Sequence, residues 1–281
     1  MDITVPKFPL AELINRLLDF LTSHFALFTK AVSNVLSTGI HDMVAVLMYF
    51  PPWVLILVFA ALAWKVAGWR VGVFTVLGLA LLWNVQLWYP TMQTLTLVTI
   101  ATAIAMLIGL PLGILAALSQ TAYRIIMPIL DFMQTMPAFV YLIPAIPFFG
   151  LGPVSAIFAT VIFAMPPAIR LTALGIRQVP ADLIEASDAF GSTKTQKLVK
   201  VQLPLAVPTI MAGVNQTIML ALSMVVIAAM IGAEGLGGKV WEAIQRLEPG
   251  KGFQAGIAVV ILAMILDRMT QRIGRRGSTG Q

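Results

Sequence analysis

The chain has 281 residues, 59% of them hydrophobic and only 11% charged, with 18 Lys and Arg against 12 Asp and Glu and no cysteine. Soluble domains carry nearer a quarter charged residues, and apolar runs of about 20 residues recur, the length a helix needs to cross a bilayer. The composition therefore describes an all-α polytopic membrane protein, and the missing cysteines exclude disulfides, thiol catalysis and cysteine metal sites.

The N-terminal segment shows no signal peptide, since Lys7 is the only basic residue before Leu10 and no long apolar region with a cleavage site follows. Leu10, Leu13, Ile14, Leu17, Leu18, Leu21, Phe25 and Phe28 recur at helical spacing, with Glu12, Asn15, Arg16 and Asp19 between them. This predicts an amphipathic helix opening at Pro9, lying on the membrane surface or against the spans rather than crossing. Residues 1–50 are expected to form an external tail around it. His24 and His41 lie in this tail, too few and too isolated for a metal cluster.

Hydropathy then predicts seven spans. Two short ones run over 52–67 and 71–88, with Lys65 and Arg70 marking the turn between them. The third, 95–118, carries Gly109 and Gly113 four residues apart with Pro111 between them, a spacing read as close helix packing. The fourth, 126–149, is interrupted by Pro128, Pro137, Pro144 and Pro147. Prolines free carbonyls that must be satisfied inside protein or by a water-filled cavity. That span is therefore placed near a translocation path, with Gln134, Met136, Pro137, Phe139 and Tyr141 lining it. Asp131, Asn215, Gln216, Thr217 and Ser223 are further candidates, because polar groups inside a membrane are costly. Structural pairing is their competing reading. The fifth span runs over 153–165 and is expected to break at Pro166–Pro167, leaving a short helix that carries Arg170 and Arg177.

Residues 178–208 form a stretch that no bilayer would accept, with Asp182, Glu185, Asp188, Lys194, Lys197 and Lys200 between two apolar segments. A first helix is expected over 181–190, with Asp182 at its positive end and Leu183, Ile184, Ala186 and Phe190 on an apolar face. Gly191 follows as a hinge where a side chain would obstruct the angle between two helices. A second short helix is expected over 193–201, ending before Pro204. A sixth span covers 209–231 and a seventh 253–266, with a cytoplasmic tail over 273–281. Between the last two spans, Gly235-Leu236-Gly237-Gly238-Lys239 lacks phosphate-loop spacing and has Val240 where Ser or Thr belongs. It is read as a turn into an external helix over 240–247, and the chain itself is expected not to hydrolyse ATP. With the 178–208 loop in the cytoplasm, twelve Lys and Arg fall inside and six outside, the asymmetry of the positive-inside rule. This places the N-terminus outside and the C-terminus inside, and leaves the basic excess needing no nucleic acid.

Glu185-Ala186-Ser187, then Gly191, then Val201-Gln202-Leu203-Pro204 resembles the EAA loop of ABC importer permeases, departing from it at Ser187 and Val201. The resemblance implies the type I importer permease fold in a bacterial plasma membrane, with residues 91–272 as its core. It also implies coupling to a separate ATPase through Ala181, Asp182, Glu185, Ala186, Ser187, Phe190, Gly191, Lys194 and Pro204. Beyond the loop, DFMQTMPAFVYLIPAIPFFG, VIFAMPPAIR and NQTIMLALSMVVIAAMIGAEGLG are similar to permeases of osmoprotectant importers. The implied solute is glycine betaine, proline betaine or a related quaternary ammonium compound. The implied partners are a second permease copy, two ATPase subunits holding ATP and Mg, and an extracytoplasmic binding protein that is separate or attached to another subunit. An ABC permease for another small solute, such as an amino acid, is the alternative. A secondary transporter or channel predicts inverted repeats and a charged midplane site, and the sequence displays neither.

Overall fold

The computed structural model describes residues 9–276. Among them there is no strand, and thirteen α-helices are connected by short turns. Lys7, part of the external charge count, and the last five residues of the expected tail lie outside the described residues.

The N-terminal segment holds two helices rather than one. Helix α1 (Leu10–His24) ends at Phe25, and α2 (Ala26–Tyr49) follows at once. The expected tail had no element after Phe28, because Ser33, Asn34, Ser37, Thr38, His41 and Asp42 dilute the apolar pattern there. At 24 residues and mean hydropathy 1.3, α2 is nevertheless long and apolar enough to cross a membrane. Leu36 and Ile40 pack on Leu97, Ala101, Ala105, Ile157 and Val161.

Helices α3 (Pro52–Ala67) and α4 (Trp69–Asn84) form a tight antiparallel hairpin around Gly68, which adopts a positive φ of 99°. Helix α5 (Trp88–Leu118) starts earlier than hydropathy indicated. The fourth apolar segment is broken as its prolines suggested. Helix α6 (Gln120–Thr135) is followed by a 3-10 turn (Ala138–Tyr141) and α7 (Leu142–Phe149), bent by 110° at the break.

Helix α8 (Pro153–Arg177) runs unbroken through Pro166 and Pro167, correcting the expected break. Both prolines are buried, so packing against neighbouring helices keeps the helix continuous where its own hydrogen-bond ladder is interrupted. A second correction concerns the loop's exit. Helix α9 (Ala181–Ala189) is as expected, but α10 (Lys194–Lys197), a π turn (Leu198–Gln202) and α11 (Leu203–Ala229) form one continuous helix. The Leu203 amide donates to the Leu198 carbonyl, five residues back. This extra residue per turn precedes Pro204, whose missing amide would leave a gap in an ordinary ladder. Helix α12 (Leu236–Gln245) begins four residues earlier than expected, and α13 (Pro249–Arg276) closes the fold.

By length and composition five helices can cross a membrane, six if the bent pair counts as one, beside the two 16-residue helices of the hairpin. Helices α5, α8 and α11 form the centre. A Cβ at Gly113 would lie 2.5 Å from Thr172 Cβ, and one at Gly109 would lie 2.8 Å from Ala168 Cβ. Small residues here let two backbones approach directly, the main source of helix affinity in lipid. Helices α3, α4, α12 and α13 attach through a second core that includes Leu79, Leu82, Trp88, Leu222, Leu236 and Ile261.

Candidate functional site

Helix α9 projects from one end of the bundle. Along it only Ser187 is buried and Ile184 half-buried, while Asp182, Glu185 and Ala186 are exposed. Phe190 is 91% exposed and Leu183 42%. Of the apolar face expected of this helix, Ile184 is partly covered, while Leu183, Ala186 and Phe190 find no cover among the described residues.

The loop is held to the bundle at its exit. Gly191 adopts φ 74°, and its amide donates to the Asp188 carbonyl at 2.9 Å. No heavy atom lies within 4 Å of a Cβ built there, so the expected steric obstruction is absent. The backbone's left-handed turn is what calls for glycine. Thr193 and Gln196 then form a capping box that starts α10: the Gln196 amide donates to Thr193 Oγ1, and the Thr193 amide donates to Gln196 Oε1. Lys197 Nζ bonds both carboxylate oxygens of Asp188, at 2.6 and 2.7 Å, clipping α9 to α10. Lys194 is exposed beside it, and so is Pro204 at the start of α11.

Two arginines of α8, which the sequence marked only as basic charges, tie this end to α6. Arg170 pairs with Asp131 at 2.5 Å. Arg177 donates to Gln120 Oε1 at 2.6 Å, and its guanidinium stands 4.1 Å above the Tyr123 ring. Asp131 is thus engaged in structural pairing. No spacing in the sequence could have joined these partners, which lie 39 and 57 residues apart.

The remaining candidates separate into two groups. Gln134 and Phe139 are exposed, and Met136 and Pro137 stand at the 110° break. Tyr141 instead is buried, packs against Met224 and Ala228 of α11, and donates its hydroxyl to the Met133 carbonyl. This bond satisfies a carbonyl freed by the break. On α11, Asn215 faces α13, donating to Asp267 at 2.8 Å and accepting from Thr270 at 2.6 Å. Ala212, Gln216, Met219 and Ser223 form an exposed stripe at helical spacing. The structure thus separates Gln216 and Ser223, which are exposed, from Asn215 and from the buried Thr217, whose hydroxyl donates to the Gly213 carbonyl.

At the opposite end, Thr94 Oγ1 accepts from the Leu236 amide at 2.8 Å, seating α12 on α5, and Gln93 bonds Glu234 beside it. A Cβ at Gly235 would lie 2.6 Å from Thr94 Oγ1, and one at Gly237 would collide with the Val225 carbonyl. Gly235 and Gly237 serve this close seating. On α12, a hydrogen bond from Lys239, with the charges of Lys239 and Arg246, holds the Glu242 carboxyl below its ordinary pKa.

The sequence profile described as the binding-protein-dependent transport system inner membrane component matches residues 109–278. The chain is 53% identical over 269 residues to the glycine betaine transport system permease protein OpuAB of Bacillus subtilis, covering 96% of this chain and 95% of that protein. It is 52% identical over 280 residues to the glycine betaine/carnitine transport permease protein GbuB of Listeria monocytogenes, covering 98% and 99%. Among solved structures, the inward-facing MetNI methionine ABC transporter superposes with a TM-score of 0.63 at 25% identity, over 68% of this chain and 95% of that one.

Proposed function

Because the chain belongs to the binding-protein-dependent transport inner membrane component family, we propose that it is the membrane subunit of an ATP-driven importer for glycine betaine or a related quaternary ammonium solute. Identity of 53% and 52% over nearly the whole length to two glycine betaine permeases supports the solute class. The protruding α9 carries the coupling reading. Its exposed Leu183 and Phe190 suit a groove on a cytoplasmic ATPase subunit. Ala181, Asp182, Glu185, Ala186 and Lys194 lie exposed around that face, while Ser187, Gly191 and the Asp188–Lys197 pair fix the angle at which α9 meets the helix that contains Pro204. ATP and Mg belong to the two ATPase partners, and an extracytoplasmic binding protein delivers solute.

The path follows the break between α6 and α7 and the exposed stripe of α11. Gln134, Met136, Pro137, Phe139, Gln216 and Ser223 line it. Asp131, Tyr141 and Asn215 hold the helices that form it. An exposed Gln216 within an apolar span is costly against lipid, whereas the Ser223 hydroxyl donates to the Met219 carbonyl. The Gln216 amide favours a second copy of the chain closing a polar path between the two copies. The coupling loop lies in the cytoplasm and α12 outside. Helix α1 packs against α7, at the end away from α9. Helix α2 packs through Leu36 and Ile40 on the middle of α5 and the first turns of α8, and through Leu47 on the second core. In this reading both helices stay on the external side, as the distribution of basic residues favours, and seven crossings are counted from α3.

Uptake of labelled glycine betaine into proteoliposomes containing the permease, its ATPase and its binding protein tests the proposal. Uptake that requires ATP and both partners is the expected result. Uptake without ATP would instead make the chain a secondary carrier, and ATP-driven uptake of an amino acid but no betaine would change the solute class.

A further inference from the structure

A cavity of about 640 Å³ opens between the α3–α4 turn and the last turns of α13. Its lining combines three arginines, Arg70, Arg268 and Arg272, with apolar Val71, Phe74 and Met264. Among the described residues none of these arginines is paired with a carboxylate. Asp267, the acid next to Arg268, is occupied by the amides of Asn215 and Gln271. Arg70 stands 5.7 Å from the ring centre of Trp69, which is itself 62% exposed. The cavity lies at the same end as the coupling loop, since Gly274 of α13 packs on Met211 near the start of α11.

We propose that this cavity binds the phosphate of an anionic phospholipid headgroup in the leaflet on the coupling-loop side. Guanidiniums bond phosphate oxygens in pairs, and basic pockets between spans on the cytoplasmic side suit acidic headgroups. Three unpaired positive charges beside apolar side chains match a ligand with a charged head and hydrocarbon tails. A free phosphate would leave Val71, Phe74 and Met264 unused. Trp69 stands where an indole anchors at the headgroup level. The inference is independent of the solute carried.

Native mass spectrometry of the assembled transporter, released from phosphatidylcholine nanodiscs with a rising fraction of phosphatidylglycerol, tests the site. The unaltered protein is expected to retain one phosphatidylglycerol per permease chain. Replacing Arg70, Arg268 and Arg272 with Gln should raise the lipid fraction needed by at least about tenfold, from roughly 1 kcal/mol per basic residue. Replacing Lys239, Arg246 and Lys251 with Gln removes the same charge at the far end and should change nothing. If the triple arginine variant does not assemble, Met264→Trp narrows the cavity without altering charge and is expected to reduce retention too. Equal retention in the two triple variants, or in Met264→Trp and the unaltered protein, overturns the proposal. So does binding of millimolar inorganic phosphate in pure phosphatidylcholine with no phosphatidylglycerol retained, which would make the ligand a soluble anion.

Discussion

At the residue scale, Gly191 separates what a sequence displays from what it hides. Its position after an acidic helix was legible, and the structure ends α9 there. Its physical reason was not, because φ cannot be read from spacing. Since the constraint is φ 74° and the space beyond is empty, size should matter less than tolerance of the left-handed region. Gly191→Asn is expected to keep solute-stimulated ATP hydrolysis near that of the unaltered transporter. Gly191→Val, strained by roughly 1–2 kcal/mol, should assemble but lose the stimulation. Equal stimulation in both variants would remove Gly191 from coupling. Asp131 and Arg170 were each visible as charges, but not as partners. If their role is pairing across α6 and α8, Asp131→Asn should lower the yield of folded permease, and the exchange Asp131→Arg with Arg170→Asp should restore it. Side chains 63% and 40% exposed imply a coupling of about 1 kcal/mol or less. A yield unchanged by Asp131→Asn, with transport per folded molecule abolished, would instead assign the carboxylate to the path.

At the element scale, the sequence reading did best where apolar runs are pure and worst where packing overrides local preference. The cores of α5, α11 and α13 follow from hydropathy alone. Pro166 and Pro167 suggested an end to α8 because local chemistry says that two prolines stop a helix. Burial on all sides keeps it running to Arg177, and no local signal carries that information. Helix α2 was missed for the opposite reason: its polar residues weaken the pattern while its packing on α5 and α8 remains. The small-residue spacing of α5 was legible as close packing, although its partner was not. Gly113→Val tests that partner. Its side chain would have to occupy the space of Thr172 and of the Ile169 carbonyl, 2.8 Å from the Cβ position. Overpacking of this kind costs about 1–3 kcal/mol, so thermal unfolding of the purified permease should shift to lower temperature. Gly39 of α2 has nothing within 4 Å of a Cβ, and Gly39→Ala should leave the transition in place. A transition unmoved by Gly113→Val would show that α5 and α8 do not pack as described.

At the scale of the whole molecule, sidedness and affinity both depend on how the elements are distributed. Absence of cysteine makes sidedness easy to measure. Single cysteines at Ser23 and Lys239 should react with an impermeant thiol reagent added outside cells, and one at Thr195 should not. Labelling at Thr195 but not Lys239 would invert the topology, and protection of Ser23 alone would mean that α2 crosses the membrane. Affinity follows from where the aromatic rings stand. A quaternary ammonium group donates no hydrogen bond, so tight binding needs several ring faces converging on one point. Trp53, Trp64, Trp69 and Trp83 are instead exposed on the α3–α4 hairpin, spread along its surface, and Trp88 is buried in the core. This distribution suits anchoring at the membrane interface. In the proposed path segment, Phe132 and Phe139 are exposed while Tyr141 is buried and packs edge-on to Phe163. Phe149 leans on Phe148 and on Phe158, which uses their faces for packing. One protomer therefore offers phenylalanine faces one at a time along a route. The permease without its partners is expected to bind glycine betaine only in the millimolar range, roughly 4 kcal/mol, leaving selection to the external binding protein. Titration calorimetry on the purified permease measures this directly. A micromolar dissociation constant would place a high-affinity site in this chain, and the ring positions above would then have to converge in a second conformation or across two copies.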